Sequence, residues 1–186
     1  GVSIRSMKNF YDWIKEFVRD QGEFIAQQSG WLELERSSYA KLIAQTISHV
    51  LNGGSLLVSA DSSRHWFLNY ILSNLNPKDL KERPLLSVID FNASSFYPKN
   101  DANLSLATIE MTYQNPMFWH VGKIENEGLK TILLSKIPSF LWLFEELKED
   151  CLLLKEHDSL LDYKLLQLFK LFENALFSVL YNKVTL

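Results

Sequence analysis

The sequence is poor in the residues from which disulfides, metal sites and phosphate-binding loops are built. Only one of its 186 residues is a cysteine, Cys151, which excludes an internal disulfide, and its four histidines are scattered along the chain. Its seven glycines form neither a Walker motif nor a G-x-G-x-x-G motif. We therefore expect no zinc cluster and no cofactor, and the single cysteine fits a reducing, cytoplasmic setting.

The chain also lacks excess positive charge and long apolar runs. Its formal net charge is −3, whereas proteins that bind DNA directly use clustered Lys and Arg side chains to neutralise phosphates. No apolar run reaches the roughly 18 residues that a membrane-spanning helix needs. We therefore expect a soluble protein that neither binds DNA directly nor enters a membrane.

Aromatic residues, in contrast, are abundant. The 12 Phe, 7 Tyr and 5 Trp residues are more rings than one small domain easily buries. Residues 1–6 precede Met7 and are interpreted as the remnant of an expression tag, which leaves residues 7–186 as a single domain. Some of the rings are therefore expected at contacts between subunits or with a partner protein.

Short apolar runs alternate with helical patterns along the chain. The predicted helices cover approximately residues 9–27, 39–51, 61–76, 104–113, 138–147 and 160–181. The predicted strands cover residues 55–59, 85–89, 118–122, 131–135 and 151–155. The strands are continuously apolar, which is typical of a parallel sheet covered by helices on both faces. Asn9 is expected to cap the first helix, and Met111 to face the core.

The last predicted helix carries two apolar faces. Its core face repeats at helical spacing from Leu165 to Leu180. A second set of residues lies off that face and comprises Leu166, Lys170, Glu173, Phe177 and Tyr181. Either the helix is buried on two sides within one subunit, or this second face contacts another subunit or a partner protein.

The predicted helix after Pro138 has the same property. Trp142 and Leu143 point away from its core face, and a helix that is apolar nearly all round is a buried helix. A domain of this size has too little interior for several such helices. The pattern therefore favours homo-oligomerisation, with aromatic anchors such as Trp142 at the contact.

Serine-bearing loops follow the predicted strands, at the edge where an open parallel sheet binds ligands. Ser59 and Ser62 follow the first strand, and Ser135 follows the fourth. These serines could cradle a phosphate or could simply cap helices, and the lack of glycine in the first loop favours capping. His65 and Glu110 could transfer protons in an enzyme, or they could be solvated surface residues.

Several segments together carry a family likeness. They are two N-terminal helices, Asn52-Gly53-Gly54, the serine-rich turn with His65-Trp66-Phe67, and Asp90-Phe91-Asn92-Ala93-Ser94-Ser95 after the second strand. Their order resembles the sugar isomerase (SIS) fold and, over Met7 to Leu186, the HobA family of bacterial replication regulators. The resemblance implies an SIS-like α/β fold, a three-layer α/β/α sandwich of the Rossmann-like, flavodoxin type with a five-stranded parallel sheet. It also implies a homotetramer that binds the N-terminal domain of the replication initiator DnaA, similar in role to DiaA.

The chain departs from the pattern of the phosphosugar-binding SIS members. Residues 58–63 and 135–139 replace their glycine-rich turns, and Pro138 removes an amide donor. The predicted function is therefore that of a non-enzymatic assembly factor without catalytic residues, which holds several DnaA molecules together near the replication origin.

The alternative is a phosphosugar-binding or isomerising enzyme. Its site would use the polar residues of the predicted sheet edge, namely Ser59, Ser62, Ser135, His65 and Glu110.

Overall fold

The computed structural model describes residues 9–28, 30–78, 85–99, 106–183 and 185–186. The proposed tag remnant, residues 1–6, lies outside the described residues. The chain divides into two compact units, one that ends at Ser37 and one that begins at Ser38.

The described residues of the first unit are mainly helical. Helix α1 spans Phe10–Gln28 and helix α2 spans Gly30–Leu34. The predicted cap is confirmed, because the Asn9 side-chain oxygen accepts a hydrogen bond from the Tyr11 amide at 2.8 Å. The exposed rings of Phe10, Trp13 and Phe17 stack in succession along α1.

The second unit contains a five-stranded sheet in which every pair of neighbouring strands is parallel. The strands are β1 (Ser55–Ala60), β2 (Val88–Asp90), β3 (Pro116–Val121), β4 (Ser139–Leu143) and β5 (Leu152–Leu153). Their order across the sheet is β2-β1-β3-β4-β5. The predicted parallel sheet of five strands is therefore confirmed.

In the part of the second unit that the structure describes, five helices accompany the sheet. They are α3 (Arg36–Leu51), α4 (His65–Leu75), α5 (Leu106–Thr112), α6 (Glu127–Leu133) and α7 (Leu161–Leu180), with a 3-10 turn at Ser62–Arg64. Helix α3 ends, as predicted, where Gly53 takes a φ of +83°, a conformation that glycine adopts without strain.

Helices pack on both faces of the sheet. On one face, Leu57, Phe118 and Leu141 of the strands form a buried cluster with Ile109 of α5 and Leu129 of α6. On the other face, Trp119 of β3 contacts Phe169 and Phe172 of α7, and Trp142 of β4 contacts Phe67 of α4. The three-layer α/β/α arrangement is therefore present.

Two predictions in the second half of the chain are wrong. Residues 131–135, predicted as the fourth strand, form the end of α6 and the turn after it, and residues 138–147, predicted as a helix, contain β4. The run Phe140–Leu143 is buried on both sides of the sheet, and a short run buried all round has no periodicity that distinguishes a strand from a helix. Helix α6 starts at a cap that the predicted strand does not include: the Asn126 side chain accepts a hydrogen bond from the Leu129 amide at 2.7 Å.

Met111 also differs from its prediction. Its side chain is 88% exposed, and Ile109 is the residue of α5 that enters the core. Because α5 has only seven residues, its two turns bury one side chain completely and leave the opposite side in solvent.

No helix within the described ranges is both long and apolar enough to cross a membrane.

Candidate functional site

Five of the six residues predicted at a partner or subunit contact lie on one side of α7, away from the sheet. We call these residues, Leu166, Lys170, Glu173, Phe177 and Tyr181, the off-core face of α7. Lys170 and Tyr181 are exposed, and the other three are half-buried. The spacing of three or four residues predicted this shared face correctly, because α7 is regular over 20 residues.

The off-core face combines rings with an ordered charge pair. The rings of Phe177 and Tyr181 stack with centroids 6.3 Å apart. Lys170 Nζ lies 3.2 Å from Glu173 Oε1 and 5.6 Å from the centre of the Tyr70 ring. Hydrogen bonds to Tyr70 and Glu173 raise the pKa of Lys170 and thus stabilise its charged form. Aromatic anchors beside a polar, solvent-accessible rim are typical of a protein contact.

Helix α4 extends this surface, which the sequence did not reveal. Tyr70 connects the two helices, because its ring packs edge-on against Phe169 of α7 with centroids 5.3 Å apart. Trp66, one turn earlier on α4, is 42% exposed. A helical wheel indicates the exposure of Trp66, because Trp66 lies about 100° around the helix from Phe67 and Phe67 belongs to the buried face of α4.

Trp142, the sixth predicted contact residue, is not on any surface. It lies on β4 and is completely buried, packed against Phe67, Trp119 and Phe140 with ring centroids 5.3 to 5.9 Å apart. Its prediction failed because β4 was assigned as a helix, and an outward direction on a helix wheel has no meaning on a strand. Trp142 belongs to the core.

A second apolar surface lies between α3 and α7. It is a groove of about 380 Å³ without a charged residue in its lining, which includes Tyr39, Ile43, Leu171, Ala175 and Val179. The groove uses a side of α7 that is different from both its core face and its off-core face. Helix α7 therefore presents two distinct non-core surfaces, a polar aromatic one and an uncharged one.

The structure separates the polar residues that the sequence grouped at one edge of the sheet. Ser59 and Ser62 lie at the carboxyl end of β1, where His65 begins α4. Ser135 instead precedes β4 and lies at the opposite, amino edge. Glu110 is also there, because it pairs with Lys136 at 3.7 Å. These five residues therefore do not form one site.

At the carboxyl edge, carboxylates of the chain itself accept hydrogen bonds from the backbone amides that could otherwise bind a phosphate. The Ser62 amide and hydroxyl both donate to Glu125 Oε1, at 2.5 and 2.8 Å. The Ser63 amide donates to Asp61 Oδ1 at 3.0 Å, and the Lys123 amide to Asp61 Oδ2 at 2.7 Å. Asp61 is buried and also forms a 2.6 Å ion pair with Arg64. The chain's own negative charges thus fill the place of an anionic ligand.

A buried serine–histidine pair lies directly beneath these carboxylates. Ser59 Oγ is 2.7 Å from His120 Nδ1, and His120 Nε2 is 2.7 Å from the Lys123 carbonyl oxygen. Burial lowers the pKa of His120, although its bond to Lys123 and the charges of Asp61 and Glu125 oppose the shift. Both side chains are almost completely buried, so a substrate cannot reach the pair. No sequence pattern indicates this pair, because the two residues are 61 positions apart.

A cavity of about 370 Å³ lies beside this edge, at the ends of β3 and β4. Its lining includes Gly122, Lys123, Phe144 and Glu156. The Lys123 ammonium, which follows β3, is 2.5 Å from the Glu156 carboxylate. The positive charge of Lys123 is therefore balanced by a negative charge of the same chain. Among the residues that the structure describes, no group of His, Cys, Asp and Glu side chains is arranged to hold a metal ion.

Comparison with known proteins agrees with this geometry. The family model of HobA, a DNA replication regulator, matches residues 7–186. The chain is similar to a crystal structure of a HobA–DnaA (domain I–II) complex from Helicobacter pylori, with 99% sequence identity, coverage of 97% of this chain and 100% of that chain, and a TM-score of 0.92. It is also similar to a crystal structure of HobA from Helicobacter pylori, with 98% identity, coverage of 96% and 100%, and a TM-score of 0.90. The chain therefore belongs to the HobA family of DNA replication regulators.

Proposed function

We propose that this protein regulates the initiation of chromosomal replication by binding the N-terminal domain of DnaA in the cytoplasm, without catalysing a reaction. The observation that carries this proposal is the 99% identity to a chain crystallised in a HobA–DnaA (domain I–II) complex. Two proteins that share nearly every residue share nearly every surface side chain, so a partner of one fits the other.

The proposed mechanism depends on assembly as a homotetramer. A tetramer presents several equivalent sites, so DnaA molecules bound to one particle are held at a high effective concentration near the origin. DnaA oligomers would then form on DNA without any contact between this protein and the bases. The net charge of −3 is consistent with this indirect role.

We place the protein contact on the off-core face of α7, together with Trp66 and Tyr70 of α4. The stacked rings of Phe177 and Tyr181 supply apolar area, and the Lys170–Glu173 pair supplies charges that are already ordered. This surface serves either DnaA or the subunit contact. The groove between α3 and α7 is a separate apolar surface, so both contacts can coexist on one subunit.

The carboxyl edge of the sheet supports a role without catalysis. A phosphosugar enzyme needs backbone amides that are available to the phosphate. Here Glu125 and Asp61 accept hydrogen bonds from three such amides. Displacing them would also expose the buried Arg64–Asp61 pair, which makes competition by a phosphate unfavourable.

The proposal is tested by size-exclusion chromatography with light scattering, with and without the isolated N-terminal domain of DnaA. We expect a particle of about four times the 21.6 kDa of one chain, and a larger mass when the domain is added. A monomer that elutes separately from the domain would overturn the proposal. Adding glucose 6-phosphate should not raise the thermal denaturation temperature, and a clear rise would favour the enzyme instead.

A further inference from the structure

Helix α3 ends in a turn built on the sequence Asn52-Gly53-Gly54. Gly53 has a left-handed backbone with a φ of +83°. Its amide donates to the Val50 carbonyl oxygen at 3.0 Å, and the Gly54 amide donates to the His49 carbonyl oxygen at 2.9 Å. These two bonds form a Schellman motif, which favours glycine at the left-handed position. The backbone thus requires a glycine directly after Asn52.

The pair Asn52-Gly53 is chemically reactive. Both residues are exposed, and the sequence contains no other asparagine that is directly followed by glycine. Asparagine is thermolabile because the backbone nitrogen of the next residue can attack its side-chain carbonyl carbon. Since glycine has no Cβ atom, no side chain hinders this attack at Gly53.

The turn itself controls the attack. While the Gly53 amide donates to Val50, its nitrogen is not available to the Asn52 side chain. Residues 51–53 are exposed, and the last turn of a helix frays more readily than its interior. Fraying frees the Gly53 nitrogen and leaves the buried strand β1 in place.

We propose that Asn52 is a site of spontaneous deamidation, controlled by fraying of this turn. The Gly53 nitrogen loses its proton to water or hydroxide and forms a bond to the side-chain carbonyl carbon of Asn52. The bond from that carbon to the side-chain nitrogen breaks, and ammonia leaves. Water then opens the resulting cyclic imide at either of its carbonyl groups, which yields aspartate or isoaspartate. Water is the only co-reactant.

The product fits the turn poorly. A carboxylate at position 52 lies at the carboxyl end of α3, where the helix dipole is negative. Isoaspartate also adds a backbone carbon next to Gly54, where space is limited: a Cβ atom on Gly54 would lie 2.3 Å from the His49 side chain. His49 Nε2 is in turn 2.6 Å from the carbonyl oxygen of Asn115, which precedes β3. Deamidation is therefore expected to loosen the connection of α3 to β1 and β3.

The test is incubation of the folded full chain at mildly alkaline pH, which favours loss of the amide proton, followed by peptide mass spectrometry over time. We expect the peptide that contains Asn52 to be deamidated about tenfold faster, or more, than the peptide that contains Asn182. Equal rates would overturn the proposal. Deamidation of Asn52 only after the chain is unfolded in urea would also overturn it, because the turn would then protect Asn52 completely.

Asn182 is a matched control within the same chain. It is exposed and lies in the same kind of turn at the end of α7, where its amide donates to Val179 and the Lys183 amide donates to Ser178. A lysine, however, follows it. Lys183→Gly places a glycine there and should raise deamidation of Asn182 about tenfold. An unchanged rate would contradict the role of the following glycine.

Two variants of Asn52 test the effect of the product. Asn52→Asp reproduces one product and should lower the thermal denaturation temperature by about 1–4 °C, because the new charge opposes the dipole of α3. Asn52→Gln keeps a neutral amide on a longer side chain, so it should leave the temperature unchanged and stop the reaction at this position. Equal temperatures for the two variants would contradict the predicted effect on α3.

Discussion

Single side chains determine which surfaces of this molecule are available to a partner. Phe177 is half-buried on α7, with its ring stacked on that of Tyr181. Such a ring loses little conformational entropy on binding and removes a large apolar area from water. The neighbouring Lys170–Glu173 pair is exposed on the lysine side, so it contributes more to orientation than to affinity.

Replacing Phe177 with alanine should weaken one protein contact by about 1–2 kcal/mol, which is roughly a tenfold loss of affinity or more. Light scattering of the variant alone and titration with the N-terminal domain of DnaA show which contact is lost. Leu134→Ala is the matched control, because Leu134 is also apolar and 50% exposed but follows α6. If Phe177→Ala changes neither mass nor affinity, this face is not the contact.

The length of a helix or strand decides how well the sequence predicts it. The predicted helix at residues 160–181 agrees with the 20-residue helix α7 within one residue at each end, because its apolar spacing repeats over several turns. The five-residue strand β4 was assigned as a helix, since its apolar residues satisfy both periods. This error moved Trp142 to a surface, and the separate prediction of residues 131–135 as a strand moved Ser135 to the wrong edge of the sheet.

A pair of tryptophan variants tests the corrected assignment. Trp142→Ala should lower the free energy of unfolding by about 3–5 kcal/mol, because it empties a buried site between β3, β4 and α4. Trp66→Ala removes the same side chain from an exposed position and should cost less than about 1 kcal/mol. Chemical denaturation measures both. Similar losses for the two variants would contradict the burial of Trp142 in β4.

At the scale of the whole molecule, acid acts on stability through the buried His120 and the hydrogen-bonded carboxylate of Glu125. The pKa of His120 is lowered by burial, so the unfolded chain binds its proton more readily than the folded chain. The contribution of neutral His120 is complete above its ordinary pKa of 6.5 and is lost as the pH falls from there towards the lowered pKa of the folded state. Glu125 adds a second loss below 4.5, as the pH falls through its lowered pKa.

The thermal denaturation temperature should therefore fall as the pH is lowered below about 6.5, because the free energy of unfolding decreases by up to about 1.4 kcal/mol for each pKa unit between the two states of His120. The measurement is a series of melting curves from about pH 8 to about pH 5. His157→Gln is the control, because His157 is 96% exposed and its replacement should leave the curve unchanged. A denaturation temperature that stays constant across this range would contradict the predicted role of His120.

The sequence by itself determined the class of fold and the class of function. Apolar strands between helices sufficed for a parallel sheet, and the helical spacing of Leu166, Phe177 and Tyr181 sufficed for their shared face, because both are local periodicities. The family likeness carried the expected partner, which no periodicity encodes. Only the tertiary structure decided that Trp142 is core, that Trp66 and Tyr70 extend the surface of α7, and that Ser135 and Ser59 lie at opposite edges. It also brought His120 to Ser59 and Glu125 to Ser62, over separations of 61 and 63 residues. These pairings depend on which strands become neighbours, and the packing of the whole sheet fixes that order.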